Sequence, residues 1–321
     1  MKILFVSSGN AKTETGLSPI VVAQGESLKE IGIEVHYYGI KGQGIKGYLK
    51  AVKPLKNHIQ QGGFDLVHVH YSLSAYAVSL ARAGKPIVVS LMGSDVLEKG
   101  WKKKVTAYFH KNVWSRTIVK SQDMADQSGL KDVIVQPNGV DFNRFCPLNA
   151  KDCRAELNWS EKKTHILFGS NPDRFEKNYA LFEQARANIE SKGSIEVHAL
   201  VGYSHKEIPT VINAAHITAL SSKWEGSPNF IKESMACNTL TVSTLVGDVE
   251  WLFGNETKGC FGSSLSPEEY TNALKRALES NSKSEHSEGR QRLEQLELGH
   301  LQVARNLESI YAEAIKKNKK D

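Results

Sequence analysis

Residues 221–236, from Ser221 to Ala236, read SSKWEGSPNFIKESMA. They follow directly on a short apolar run, Ile217–Ser221, and read as a strand that turns through a loop into a helix. Ser227 suits an N-cap, Pro228 suits the first helical position, where its missing N–H costs nothing, and Gly226 lets the backbone approach a ligand closely. A helix is therefore predicted over Pro228–Ala236. Its N-terminus offers free N–H groups and the positive end of a dipole, a combination suited to a diphosphate. Glu225 stands just before this helix and Glu233 about one and a half turns into it. Taken alone, two glutamates at this spacing read as surface acids flanking an ordinary capped helix.

The same alternation runs outward in both directions. Upstream, strands are predicted at Lys2–Ser7, Ile33–Tyr38, Leu66–His70, Ile87–Leu91, Arg116–Val119 and Val133–Gln136, with helices that include Ser18–Glu30, Ser74–Arg82 and Trp101–Val113. Around the quoted stretch, strands are predicted at His165–Gly169, Ile195–Val201, Ile217–Ser221 and Leu240–Ser243, with helices at Asn178–Ser191, Pro228–Ala236 and Glu268–Ser280. Strands that are continuous apolar runs separated by helices imply crossover units and parallel sheets covered on both faces. A turn-rich stretch from Pro137-Asn138-Gly139 to Pro147-Leu148-Asn149 interrupts the pattern and reads as a linker. Two doubly wound α/β domains result, residues 1–150 and 151–299. A polar helical segment, Glu288 to Lys317, closes the chain, and its part from about 300 to 321 is free to pack back on the first domain. Ligands of such sheets sit beyond the carboxyl ends of the strands.

Composition agrees. The 321 residues, 40% hydrophobic and 24% charged, suffice for two cores, each of about 150 residues. The longest apolar runs, around Ile3–Val6 and Ile87–Met92, are far shorter than the roughly 18 residues of a membrane span, and a cytoplasmic protein is expected. Cys146, Cys153, Cys237 and Cys260 fall in no metal-binding spacing and read as packing or surface thiols. The net charge of +6 is uneven: residues 1–150 carry 19 basic and 11 acidic side chains, residues 151–321 carry 22 and 24. Lys41, Lys46, Lys50, Lys53 and Lys56 lie in an acid-free stretch, and Lys99-Gly100-Trp101-Lys102-Lys103-Lys104 opens a helix bearing Val105, Tyr108 and Phe109. A basic face beside aromatics suits an anionic membrane surface, although it reads equally as a solvated face. No nucleic-acid motif accompanies the charge.

Glu225 and Glu233, with seven residues between them, within Glu-Gly-Ser-Pro-Asn and Lys-Glu-x-Met-Ala, make the chain resemble the retaining glycosyltransferases of family 4, which have the GT-B fold of two Rossmann-like domains facing across a cleft. The resemblance implies that Glu233 holds the ribose of a nucleoside diphosphate sugar and Glu225 the sugar hydroxyls. Gly226, Ser227, Pro228, Asn229 and Phe230 would form the donor loop and helix start. Lys177 and Arg174, in Asp173-Arg174-Phe175-Glu176-Lys177, resemble the basic pair that neutralises the diphosphate. Arg174 fits less well, because the usual Gly-Arg pair reads Gly169-Ser170 here. Pro137-Asn138-Gly139-Val140-Asp141 with Arg144-Phe145 looks like the linker signature, Gly247-Asp248-Val249 like a glycine turn before an acid, and Val201-Gly202-Tyr203 is a candidate wall of the base pocket. In the first domain Gly16 matches the family's glycine loop near the phosphates. His70 and Tyr71 fall where the acceptor cleft is lined, whereas His68 lies deeper, as a core residue would. Gly93-Ser94-Asp95 resembles the His-Gly-x-Asp turn, with Met92 in place of the histidine beside the donor sugar, Ser94 near the acceptor, and Asp95 orienting the turn or capping the next helix.

The activity so implied is retaining transfer of a sugar from a nucleoside diphosphate donor, a UDP-sugar ahead of a GDP-sugar, to a glycan or lipid-linked acceptor in surface polysaccharide or glycoconjugate synthesis. No cofactor and no metal is expected, since fixed positive groups replace the ion and no Asp-x-Asp run occurs. The location implied is the cytoplasm, with peripheral contact at the inner face of the membrane. Two alternatives share the fold: a sugar-nucleotide epimerase and a degenerate nucleotide-sugar-binding subunit. A nicotinamide-dependent dehydrogenase is disfavoured, because no Gly-x-Gly-x-x-Gly turn follows Lys2–Ser7.

Overall fold

The computed structural model describes residues 1–9, 15–42, 44–96, 100–189, 194–255 and 257–318; Lys99, Lys319 and Lys320, and the predicted helix end at Ser191, lie outside them. The chain forms two compact units, Met1–Gly139 with His300–Asp321, and Val140–Gly299.

In the first unit, β1 (Lys2–Ser8), β2 (Glu34–Ile40), β3 (Leu66–His70), β4 (Ile87–Ser90), β5 (Arg116–Val119) and β6 (Ile134–Val135) form a parallel sheet in the order β2-β1-β3-β4-β5-β6. Helices α1 (Pro19–Glu30), α2 (Gly44–Gln61), α3 (Ser72–Ala81), α4 (Trp101–Asn112) and α5 (Gln122–Ser128) connect the strands. The apolar runs serve both faces, because successive strand side chains point to opposite sides. Leu4, Val6, Val67 and Val89 pack with Leu55 and Ile59 of α2 and with Tyr76 of α3. Ile3, Phe5, Leu66 and Val88 pack on the other side with Val21 and Leu28 of α1 and with Val303, Leu307 and Tyr311 of the C-terminal helix, His300–Asn318. That helix is thus part of the first unit's core.

In the second unit, β7 (Thr164–Phe168), β8 (Ile195–Ala199), β9 (Ile217–Leu220), β10 (Leu240–Thr244) and β11 (Cys260–Ser263) are parallel in the order β11-β10-β9-β7-β8. Its helices are α6 (Ala150–Glu156), α7 (Tyr179–Ala187), α8 (Ile208–Ala214), α9 (Asn229–Ala236), α10 (Val249–Phe253), α11 (Pro267–Ser282) and α12 (Gly289–Gln295). Leu167 and Leu220 face α8, α9 and α12, while Ile166, Phe168, Ala219 and Val242 face α7 and α11.

Three details differ from the sequence reading. The units divide after Gly139 and not at residue 150: the Val140 amide donates to Leu298 O at 2.9 Å, and Arg290 Nη1 donates to the carbonyls of Phe142 and Phe145 at 3.2 and 3.0 Å. These bonds attach residues 140–145 to the second unit. Second, β11 and the 18-residue α2 were not foreseen. Third, α9 begins at Asn229, with Pro228 at its N-cap. Ser227 does not cap it, because its hydroxyl accepts a hydrogen bond from Lys232 instead.

Candidate active site

In the second unit the chain leaves β7 for β8 on one side and reappears as β9 on the other. Loops leaving the carboxyl ends of two such strands diverge and open a crevice between them. The loop after β7 ends in a 3-10 turn, Phe175–Lys177, and the loop after β9 runs into α9. The two loops are tied together: the Lys223 amide donates to Glu176 O at 2.8 Å, and Ser221 Oγ lies 3.1 and 2.9 Å from the carbonyls of Lys177 and Asn178.

These ties bring the side chains of Lys177 and Glu225 together. Lys177 Nζ donates to Glu225 Oε1 at 2.5 Å, and Ser222 Oγ donates to the same oxygen at 2.6 Å. The two side chains are 13% and 14% exposed, shielded enough to strengthen the attraction yet open to a ligand. Arg174 does not join them. Its side chain is 56% exposed and lies on Glu176, with Nε 2.8 Å from the carboxylate, so the expected basic pair is present as Lys177 alone.

Glu233 projects from α9 and is half-buried. Burial pushes its carboxyl up to about 7, against the pull of Lys232 and Arg144. Arg144, from the linker signature, donates through Nη1 to His205 Nδ1 at 2.7 Å. Adjacent helical residues point about 100° apart, and Lys232 accordingly turns inward. It is wholly buried, with Nζ 2.9 Å from Ser227 Oγ. Burial lowers it to about 8, with Asp248 and Glu233 opposing. Asp248, 5% exposed, is pushed up by burial to about 6, with Lys232 opposing. Gly247 presses on this floor: at φ +64°, a Cβ there would lie 2.7 Å from Gly226 O. The buried Lys232 and Asp248 thus underpin the loop that carries Glu225, an arrangement sequence reasoning missed. The available signal was the lysine beside Glu233, which cannot share its face and needs a buried partner.

The remaining expected residues divide. Gly226 and Pro228 are buried and Asn229 is half-buried at the first turn of α9. Phe230 is 8% exposed and packs so closely on Gly169 that a Cβ there would come within 2.1 Å of its ring; its side chain belongs to the core, and only its backbone N–H, in the first turn of α9, is left to meet a donor. Val201 is 51% exposed after β8.

In the first unit, Gly16 has φ +70° and abuts Gly9 O, a turn that excludes a side chain. Met92 is part-buried, and its amide donates to Asp95 Oδ1 at 2.9 Å. Asp95 also accepts from the amides of Gly93 (2.9 Å) and Ser72 (3.2 Å) and is 3% exposed, with burial raising it to about 6. It therefore orients the turn and is withdrawn from the acceptor-binding group. Nor does it cap the next helix, since α4 starts at Trp101. His70 is 2% exposed, with Nε2 donating to Gln24 Oε1 at 2.8 Å and Nδ1 left without a hydrogen-bond partner, and burial lowers it to about 3. Tyr71, at φ 78°, turns the chain from β3 into α3, and Ser94 is exposed. His68 is core, bonded to Tyr311 Oη (2.7 Å) and Ser90 Oγ (2.9 Å).

Two doubly wound units, one with a cation and a carboxylate at its switch point, have the architecture of the GT-B glycosyltransferases. The family model for Glycosyl transferases group 1 matches residues 167–319, and that for Glycosyltransferase Family 4 matches residues 14–144. The chain belongs to the family-4-type glycosyltransferases. Similar solved structures include sucrose-phosphate synthase from Thermosynechococcus elongatus (16% identity, TM-score 0.79, covering 99% of this chain and 100% of that one). Anabaena HepE in complex with UDP is 15% identical with a TM-score of 0.76, over 97% and 100% of the two chains. A UDP-forming α,α-trehalose-phosphate synthase from Burkholderia vietnamiensis is 12% identical with a TM-score of 0.72, over 98% and 97%. At these identities the likeness is one of fold. No curated protein matches the chain significantly by sequence.

Proposed function

We propose that the protein transfers a sugar, with retention of anomeric configuration and without a metal ion at the donor, from a nucleoside diphosphate sugar to a glycan or lipid-linked acceptor in surface polysaccharide or glycoconjugate synthesis. The observation that carries this reading is the meeting of Lys177 and Glu225 from two loops at the start of α9. With a donor present, Lys177 and the α9 N-terminus stabilise charge on the departing diphosphate. Glu225, released from Lys177, accepts from the sugar hydroxyls, and Glu233 from the ribose. Arg174 contributes only by leaving Glu176. A UDP-sugar is favoured, as the UDP and UDP-glucose complexes of HepE suggest. The test is incubation with UDP-, GDP- and ADP-sugars and a glycan or polyprenyl-phosphosugar acceptor. A glycosylated product with the donor's anomeric configuration is expected; inversion, or an epimerised donor formed without any acceptor, would overturn the reading.

The lipid-linked acceptor and the membrane contact rest on the first unit. A groove of about 450 Å³ between α2, α3 and α4 is lined almost wholly by apolar side chains, among them Ile45, Leu49, Tyr76, Trp101 and Tyr108. Leu49, Trp101 and Tyr108 are 55%, 54% and 62% exposed; Lys104 lines the groove, and Lys46, Lys50, Lys53 and Lys103 are exposed on the same helices, α2 and α4. Among the described residues no helix is long and apolar enough to cross a membrane. A lysine near an anionic surface contributes about 1 kcal/mol, and the apolar groove adds an insertion surface. The protein should co-sediment with phosphatidylglycerol vesicles, less so in high salt, and less after Leu49→Ser with Trp101→Ser or after Lys102, Lys103 and Lys104 are changed to Ser. Binding indifferent to salt and to both sets of changes would remove membrane docking from the proposal.

A further inference from the structure

We propose that His165, Glu196 and His198, on neighbouring strands β7 and β8, form a binding site for a divalent transition-metal ion of the zinc class, apart from Lys177 and Glu225. The register of β7 and β8 pairs His165 with Glu196 and Leu167 with His198. Residues two apart on a strand share a face, so all three side chains stand on the same side of the sheet. His165 is the second residue of β7, and the donor loop leaves that strand's far end, roughly 13 Å on at the usual strand rise.

The atoms that would bind an ion converge. His165 Nδ1 is 2.9 Å from His198 Nε2. Glu196 Oε2 is 4.0 Å from the first nitrogen, and Glu196 Oε1 is 3.9 Å from the second. One such atom from each residue lies within 4.8 Å of the others. Two imidazoles and one carboxylate are a donor set that zinc takes at sites with a fourth, open position, and imidazole nitrogen selects zinc-like ions over magnesium or calcium.

The surroundings prepare these groups for an ion. His165 Nε2 lies 2.8 Å from Ser160 O. A carbonyl can only accept, so that nitrogen carries the hydrogen and Nδ1 presents its lone pair. A ligand histidine whose other nitrogen donates to a backbone carbonyl is the usual outer-shell arrangement. The His165 amide in turn donates to His216 Nδ1 at 2.9 Å, fixing the start of the strand. Trp159 stacks on His198 at 3.5 Å with 5° between the planes and sets the orientation of that ring. His165 is completely buried, whereas Glu196 is 46% exposed and leaves an entry from solvent.

Without an ion, the 2.9 Å contact is an N–H···N hydrogen bond donated by His198 Nε2. Two nitrogens bound tetrahedrally at 2.0–2.1 Å from zinc stand about 3.3 Å apart. The rings therefore part by a few tenths of an ångström, and the ion takes the place of the bridging hydrogen. His198 then carries its hydrogen on Nδ1. No bond order or oxidation state changes, and the ion clips edge strand β8 to β7.

The test uses the full chain freed of metal by a chelator that is then dialysed away. One equivalent of Zn2+ should bind and raise Tm, and Co2+ should give the visible d–d absorption of a low-coordinate site. His198→Gln and the exposed Glu196→Gln should each weaken Zn2+ binding by more than the ~100-fold limit for loss of an outer-shell partner. Tm of the metal-free Glu196→Gln chain should stay unchanged, whereas His198→Gln, which removes the hydrogen bond to buried His165, should lower it. Failure of the wild type to bind stoichiometrically, or binding that survives either substitution, would overturn the site.

Discussion

Replacing Lys177 by alanine is expected to lower kcat/KM for sugar transfer by about 10²–10³-fold, the loss that follows removal of one preorganised partner of a developing oxyanion. Lys177 is the cation that the fold delivers to Glu225, at 13% exposure, where screening by water is weak. The substitution removes charge where the diphosphate departs, and it also frees Glu225 from the contact that positions it. Binding of nucleoside diphosphate should weaken, while binding of the bare nucleoside stays nearly constant. Isothermal titration with UDP and uridine separates the two. Equal loss for both ligands would assign Lys177 a structural part only. Lys177→Arg should recover much of the diphosphate affinity but less of the turnover, since guanidinium keeps the charge with a different reach.

For Glu233→Ala, donor binding should fall by about 10- to 100-fold, the range for lost hydrogen bonds to a charged group, with kcat changed less. The ribose does not change during the reaction, so the contact strengthens ground state and transition state alike. Its carboxyl stands at about 7 in the unliganded chain because burial disfavours the charge. If the ionised form accepts the ribose hydroxyls, donor affinity falls as pH drops below about 7, by up to tenfold per unit. Folding stability follows the opposite course. A carboxyl whose pKa is raised by folding binds its proton more tightly in the native state, so its contribution is full below about 4.5 and is lost as pH rises to about 7. Glu233→Gln should flatten both profiles between these limits. Unchanged profiles in a variant that folds would mean that another group, such as Asp248 at about 6, governs them.

Local pattern carried much of the architecture. Runs such as Leu66–His70 and Arg116–Val119 coincide with strands β3 and β5 residue for residue, because both are short runs rich in β-branched and apolar residues, as buried strands require. Helix α2 escaped notice. Gly44, Gly47 and Pro54 disfavour a helix locally, yet all three lie within it, and its Leu55 and Ile59 are buried against the sheet. Strand β11 escaped because its sequence, Cys260-Phe261-Gly262-Ser263, is short and only part-buried. Tertiary pairing outweighed local propensity in both places.

What the sequence determined by itself was the alternation that makes two parallel sheets, and the spacing that places Glu225 before helix α9 and Glu233 inside it. Those are properties of a few consecutive residues, and the periods of strand and helix are enough to read them. Which side chains face a ligand was decided only by the folded chain. The Phe230 ring went to the core, Asp95 was buried among its own hydrogen bonds, His70 was buried against Gln24, Arg174 turned to Glu176, and Lys232 found its setting beside Asp248. The same holds for His165 and His198, 33 residues apart in the chain and 2.9 Å apart in the sheet. Each of these outcomes depends on burial and on a partner supplied by a distant segment, and electrostatic and hydrogen-bond energies are set by that three-dimensional distance, which no local pattern encodes.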